Sequence, residues 1–225
     1  MKNHVEKRMA ALLLALALCV SAAPRARAAE SLESYADLDG SAWYAPGVRF
    51  CLKNGLMSGY GTRIRLFEPD SPVTRAQFVT ILWRMAGEPK TGLAMHYNDV
   101  PEGQWYTEAV RWAFAEDLMG GYTTVTFAPE DPITREQTAV FLWGYAKWVN
   151  GTVPKPVDMG AGYYGDRGEV SDHAREAVDW ACALGIIAGY RDSRGGVWIR
   201  PSGNSSRAVV ATMLMRFCLD LGLCE

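Results

Sequence analysis

The sequence predicts a mainly α-helical protein made of three helix–loop–helix units packed against one another. Three observations lead there. A set of short landmarks recurs three times in the same order. Each unit contains two stretches with apolar residues at i, i+3 and i+4. The second stretch of each unit opens on a hydroxyl residue where a helix cap would stand. The composition suits this: 225 residues, 49% hydrophobic and 21% charged, are enough for one large domain or several small ones. Eight Trp and ten Tyr can build several small cores. A net charge of −2 gives no overall field for nucleic acid, and nothing suggests a disordered or collagen-like chain.

The first element, residues 1–28, reads as an export leader. Lys2, Lys7 and Arg8 precede an apolar run from Met9 to Val20, and Ala26 and Ala28 place small side chains before a cut after Ala28. The run of about twelve residues is shorter than the roughly twenty that span a bilayer. Cys19 is followed by Val20, not by the small residue that lipidation requires. The leader carries five basic side chains and one acidic, so its removal moves the net charge from −2 to −6. No later segment is expected to cross a membrane. An acidic protein of this kind binds an anion only through a local cluster of donors. Export permits disulfides among Cys51, Cys182, Cys218 and Cys224, and four cysteines allow three pairings. The first three lie in helical apolar runs and also read as buried thiols; Cys224 is the best candidate for an exposed one. With no CxxC and no Cys/His cluster, no metal is expected.

The units follow as 29–90, 91–155 and 156–225. Met57-Ser58-Gly59-Tyr60 recurs as Met119-Gly120-Gly121-Tyr122 and as Ile187-Ala188-Gly189-Tyr190. Phe67-Glu68-Pro69 recurs as Phe127-Ala128-Pro129 and Ile199-Arg200-Pro201. Five residues after each proline stand Thr74-Arg75, Thr134-Arg135 and Ser206-Arg207. Val48, Val110 and Val178 each lie seven residues before Gly55, Asp117 and Gly185. The first helices bury Val48, Cys51 and Leu52; Val110, Ala113 and Phe114; and Val178, Ala181 and Cys182. The Gly-Tyr pair is expected to break each of them. The second helices bury Phe78, Ile81, Leu82 and Met85, then Phe141, Leu142 and Tyr145 with Thr138 beside them, then Val210, Met213, Leu214 and Phe217. A unit of about fifty residues buries both faces poorly alone, so the three must pack together. The linkers 87–95 and 150–162 read as exposed.

Thr74 with Gln77 and Thr134 with Gln137 fit capping boxes, and Ser206 a simpler cap. Capping explains neither Arg75, Arg135 nor Arg207, since the helix dipole slightly disfavours a cation in the first turn. Two partners fit: a carboxylate of a neighbouring unit such as Asp37, Asp99 or Asp166, or an anionic ligand held by the guanidinium fork and the amides of the helix start.

These landmarks resemble the S-layer homology domain in its usual set of three. The aromatic-x-Asp openings at Tyr35-Ala36-Asp37, Tyr97-Asn98-Asp99 and Tyr164-Gly165-Asp166 fit as well, with Trp43 and Trp105 following. The resemblance implies a pseudo-threefold, mainly helical bundle with grooves between lobes. It also implies non-covalent attachment to a peptidoglycan-linked cell-wall polysaccharide, often one with a pyruvylated sugar, and hence a secreted, wall- or S-layer-associated protein. The glycan-binding residues it implies are Arg75, Arg135, Arg207, Gly59, Gly121, Gly189, Trp43, Trp105, Asp37 and Asp99. The third unit departs from the pattern: Ser206-Arg207-Ala208-Val209 breaks the box, Asn204 replaces Pro72 and Pro132, and His173 stands where Trp43 and Trp105 stand. Arg207 is accordingly expected to matter less, and the third groove to be weaker.

No cofactor and no catalytic residue is expected. G-x-S-x-G, phosphate-binding glycine loops and HExxH are absent, His96 and His173 stand apart, and Glu116-Asp117 and Glu130-Asp131 read as solvated. Once the leader is set aside the repeats occupy almost the whole chain, which disfavours the third reading, a small wall hydrolase. A surface protein–protein module is the alternative to glycan binding. Trp43, Trp105 and Trp180 can stack on a sugar, although burial between helices is the commoner fate of an indole.

Overall fold

Six helices organise this computed structural model, which describes residues 30–153 and 163–223. The leader at 1–28 with Cys19, the later part of the second linker, and Cys224 lie outside the described residues. The helices are α1 (Ala45–Lys53), α2 (Arg75–Met85), α3 (Thr107–Ala115), α4 (Arg135–Asn150), α5 (Arg175–Ala183) and α6 (Arg207–Leu221), two to a unit. Strands are minimal: β1 (Tyr190–Arg191) pairs antiparallel with β2 (Val197–Trp198), and a single bridge joins Tyr60 to Leu66 at the matching place in the first unit. The fold is mainly α, as the periodicity predicts.

The first helices stop earlier than expected. Gly55, Asp117 and Gly185 adopt φ of 65°, 55° and 69°, and this left-handed residue ends each helix four residues before the Gly-Tyr pair. Asp117 tolerates the conformation that glycine adopts freely. Gly59 and Gly121 are required for space instead, and Gly189 for both space and a φ of 74°. A Cβ would lie 2.3 Å from the Leu66 carbonyl oxygen at Gly59, 2.2 Å from that of Thr126 at Gly121, and 2.6 Å from Val197 Cγ1 at Gly189.

The predicted apolar faces are buried except at Met85, which is half-buried at the end of α2, and at Phe114, which is 37% exposed and stacks on His96 with ring centroids 4.1 Å apart. Trp112, two residues earlier, fills the core there. The helices pair across unit boundaries: α2 packs on α3, α4 on α5, and α6 on α1. The last pairing brings the final helix onto the first and closes a ring. It is intimate, since a Cβ on Gly47 of α1 would lie 2.7 Å from Thr212 Cα of α6.

At the centre, three buried residues join the units by a closed cycle of main-chain hydrogen bonds. Val73 N donates to Ser205 O, Ser205 N to Ile133 O, and Ile133 N to Val73 O, at 2.8–2.9 Å. Asn204 takes part in the same kind of bridge as Pro72 and Pro132, so the missing proline leaves the third unit's backbone in register.

Candidate binding clefts between the units

Each second helix starts on a satisfied cap. Thr74 Oγ1 accepts from Gln77 N, and Gln77 Oε1 accepts from Thr74 N; Thr134 and Gln137 repeat this. Ser206 accepts from Val209 N with no return bond. The next two amides are taken by the neighbouring unit's loop. Arg75 N and Ala76 N donate to Asp131 O and Pro129 O, Arg135 N and Glu136 N to Gly203 O and Pro201 O, and Arg207 N and Ala208 N to Ser71 O and Pro69 O. These helix starts therefore keep no free first-turn amide for an anion, contrary to the simplest ligand reading.

The three arginines follow their amides into the neighbouring unit. Arg75 is 1% exposed, and its Nε and Nη2 donate to Phe127 O at 2.8 Å and Gly120 O at 2.7 Å. Arg135 Nε donates to Ile199 O at 2.7 Å and its Nη1 to the Tyr190 hydroxyl at 3.3 Å. Arg207 Nε, Nη2 and Nη1 donate to Phe67 O, Ser58 O and the Tyr60 hydroxyl. Each guanidinium also lies over the tyrosine of a Gly-Tyr pair, 4.5 Å from the Tyr122 centroid, 4.7 Å from Tyr190 and 4.9 Å from Tyr60. The expected cross-unit partner is present, but it is backbone carbonyl and aromatic face, not carboxylate. None of the three joins an ion pair among the described residues. Burial lowers the pKa of all three, because removal from water penalises the charged guanidinium more than the nearby tyrosines, and at Arg75 and Arg207 the carboxylates, favour it.

The aspartates have a different task. Asp37 accepts from Phe67 N and Glu68 N, Asp99 from Phe127 N and Ala128 N, and Asp166 from Ile199 N and Arg200 N, all at 2.6–2.8 Å. Glu68, Ala128 and Arg200 have φ of 57°, 59° and 56°, a conformation that costs a non-glycine residue about 1–2 kcal/mol. The carboxylates hold this strained residue before each proline, in place of the ion pair with a motif arginine that the sequence offered. Likewise, Gly59 N and Gly121 N donate to the Tyr35 and Tyr97 hydroxyls, so these amides serve the fold.

Trp180 is buried, whereas Trp43 and Trp105 are 63% and 57% exposed. Each exposed indole lies at the rim of a cleft. The first cleft, about 610 Å³ and open to solvent, is walled by Leu56, Met57, Ser58 and Tyr60 and by Gln77, Thr80, Ile81 and Arg84 of α2, with Trp105 from the second unit and Arg207 from the third. The second, about 780 Å³, is walled by the third unit's Gly189-Tyr190 and by Thr212, Met213 and Arg216 of α6, with Trp43 from the first unit and Arg135 from the second. No carboxylate lines either cleft among the described residues. Arg207 thus sits in a complete cleft, because the arginine serves the neighbouring unit and not its own. Arg84 and Arg216 escaped the sequence reading; they share one position, nine residues after the motif arginine, and aligning the second helices would have exposed it.

Cys51, Cys182 and Cys218 are buried, and burial pushes the Cys182 thiol up to about 11. No cluster of His, Cys, Asp or Glu suited to a metal occurs among the described residues. No helix there is long and apolar enough to cross a membrane.

Residues 34–79 and 96–139, one segment in each of the first two units, match the S-layer homology domain family. The chain is 29% identical over 160 residues to a surface layer protein of Brevibacillus choshinensis, covering 68% of this chain and 14% of that protein. It is 23% identical over 156 residues to a cellulosome-anchoring protein of Acetivibrio thermocellus, covering 67% and 33%. It is 31% identical over 149 residues to an amylopullulanase of Thermoanaerobacterium thermosulfurigenes, covering 66% and 8%. The chain therefore spans a third or less of each of these relatives.

Proposed function

We propose that this chain is an exported module of three S-layer homology units, 29–90, 91–155 and 156–225 after a leader at 1–28, that attaches to the cell wall by binding an anionic polysaccharide in the clefts between its units. The observation that carries the reading is a buried arginine without a counter-ion in each of two clefts, beside an exposed tryptophan and no carboxylate. A chain with net charge −2 has gathered cations that join no ion pair in a concave site, where an anion can meet them. The indole at the rim offers a flat apolar face to a sugar ring. A pyruvylated sugar combines both features, a carboxylate for the arginine side and a ring for the indole. The matched family and the surface-layer and anchoring relatives support the same reading.

Co-sedimentation with purified sacculi tests it. The protein is expected to pellet with intact sacculi and to stay in solution once their secondary polymer has been stripped with hydrofluoric acid. Equal binding to stripped and intact sacculi would overturn the polysaccharide reading, and binding only to sacculi that retain surface protein would favour a protein partner.

A further inference from the structure

The two clefts lie on α2 and α6, and the matching side of α4 differs from both in its side chains. In the first, α2 supplies Arg84 and the rim carries Trp105; in the second, α6 supplies Arg216 and the rim carries Trp43. The position of Arg84 and Arg216 is Gly144 on α4, and the position of Trp105 and Trp43 is His173. The α4 side keeps Arg75 against Tyr122 and so retains a buried cation, but it lacks both the second cation and the indole. The same helix start also carries a buried acid: Glu136, where α2 and α6 have Ala76 and Ala208, accepts from Ser171 N at 3.0 Å and Ser171 Oγ at 2.8 Å, two residues from His173.

Resting on the proposed wall-polysaccharide reading, we propose that the clefts on α2 and α6 bind ligand and the matching side of α4 does not. The module then takes two anionic sugar units, and Arg84 and Arg216 determine where they go. Arg84 and Arg216 line the cleft walls beside the rim indoles, where a planar guanidinium adds a second cation to the buried one for a carboxylate to meet; Arg216 Nη1 reaches Gly185 O and Ile186 O at 3.3 and 3.4 Å on the same wall. Two sites on one rigid ring let a polymer engage at both, so wall retention exceeds the affinity of either alone. Where sequence alone points to the third unit as the weak one, the structure moves the gap to the α4 side of the second unit.

The test is calorimetric titration with size-fractionated fragments of the secondary polymer released from sacculi of the producing strain, with the melting temperature recorded for each variant. The unaltered chain is expected to take two equivalents, Arg84→Gln or Arg216→Gln one, and the double variant none, with binding at least tenfold weaker and melting little changed. Gly144→Arg with His173→Trp is expected to add a third equivalent. Arginine is favoured over glycine within a helix, and its Cβ would meet Leu118 O at 3.4 Å, an ordinary contact. Three equivalents for the unaltered chain, or undiminished binding by the folded double variant, would overturn the proposal while leaving the wall-binding reading intact. Absence of any binding to fragments and to sacculi alike would overturn both.

Discussion

Replacing Arg75, Arg135 or Arg207 by lysine is expected to destabilise the protein by about 2–4 kcal/mol, because the fork that clasps two groups of the next unit becomes a single point. For Arg75 the groups are Phe127 O and Gly120 O, reached by different nitrogens of one plane. A lysine ammonium can satisfy one of them, so either the buried Phe127 O or the half-buried bond to Gly120 O is lost. In a domain of this size the melting temperature should drop by roughly 5–15 °C. Arg84→Gln, at an exposed cleft wall, should shift stability by no more than about 0.5 kcal/mol. Thermal melts of these variants side by side check the contrast. A motif-arginine variant that melts like the unaltered chain but no longer binds sacculi would make the arginines ligand groups first and clasps second.

The second large effect concerns the ring. A fragment of residues 29–146 retains both matched segments, yet it is expected to show no cooperative unfolding transition. Without α6, the buried face of α1 around Val48, Cys51 and Leu52 is uncovered, and without α5 so is the outer side of α4. Val73 N loses Ser205 O, and Arg135 loses Ile199 O, so the central cycle and one clasp open together. Each pairing lies between units, so removal of one unit damages two junctions and not one. Calorimetry and dye binding to exposed apolar surface measure this. A sharp, independent transition in the fragment would show that two units suffice.

Much of the fold is legible in the sequence because its signals are local. Thr74 and Gln77 stand three residues apart and cap the helix that they begin; Val48, Cys51 and Leu52 share one face of a single helix turn and a half. The site is less legible because its contacts are not local. Arg207 meets Phe67 O and Ser58 O, 140 and 149 residues away, and a carbonyl acceptor leaves no mark in the sequence. The aspartates mislead for the opposite reason: a charged residue suggests an ion pair, but Asp37 serves the amides of a strained Phe-Glu step. Trp43 and Trp105 precede Tyr44 and Tyr106, which turn toward the core and leave the larger rings outside, a choice that helix periodicity cannot make before the helix starts.

That the clefts themselves take an anionic wall glycan is tested most directly by the indole N–H resonances during titration with wall-polymer fragments. Trp43 and Trp105, at the two cleft rims, should shift with a saturating dependence on fragment concentration, while the buried Trp112 and Trp180 stay in place. If the protein binds the fragments and neither Trp43 nor Trp105 moves, the ligand lies elsewhere and the account of the clefts is contradicted.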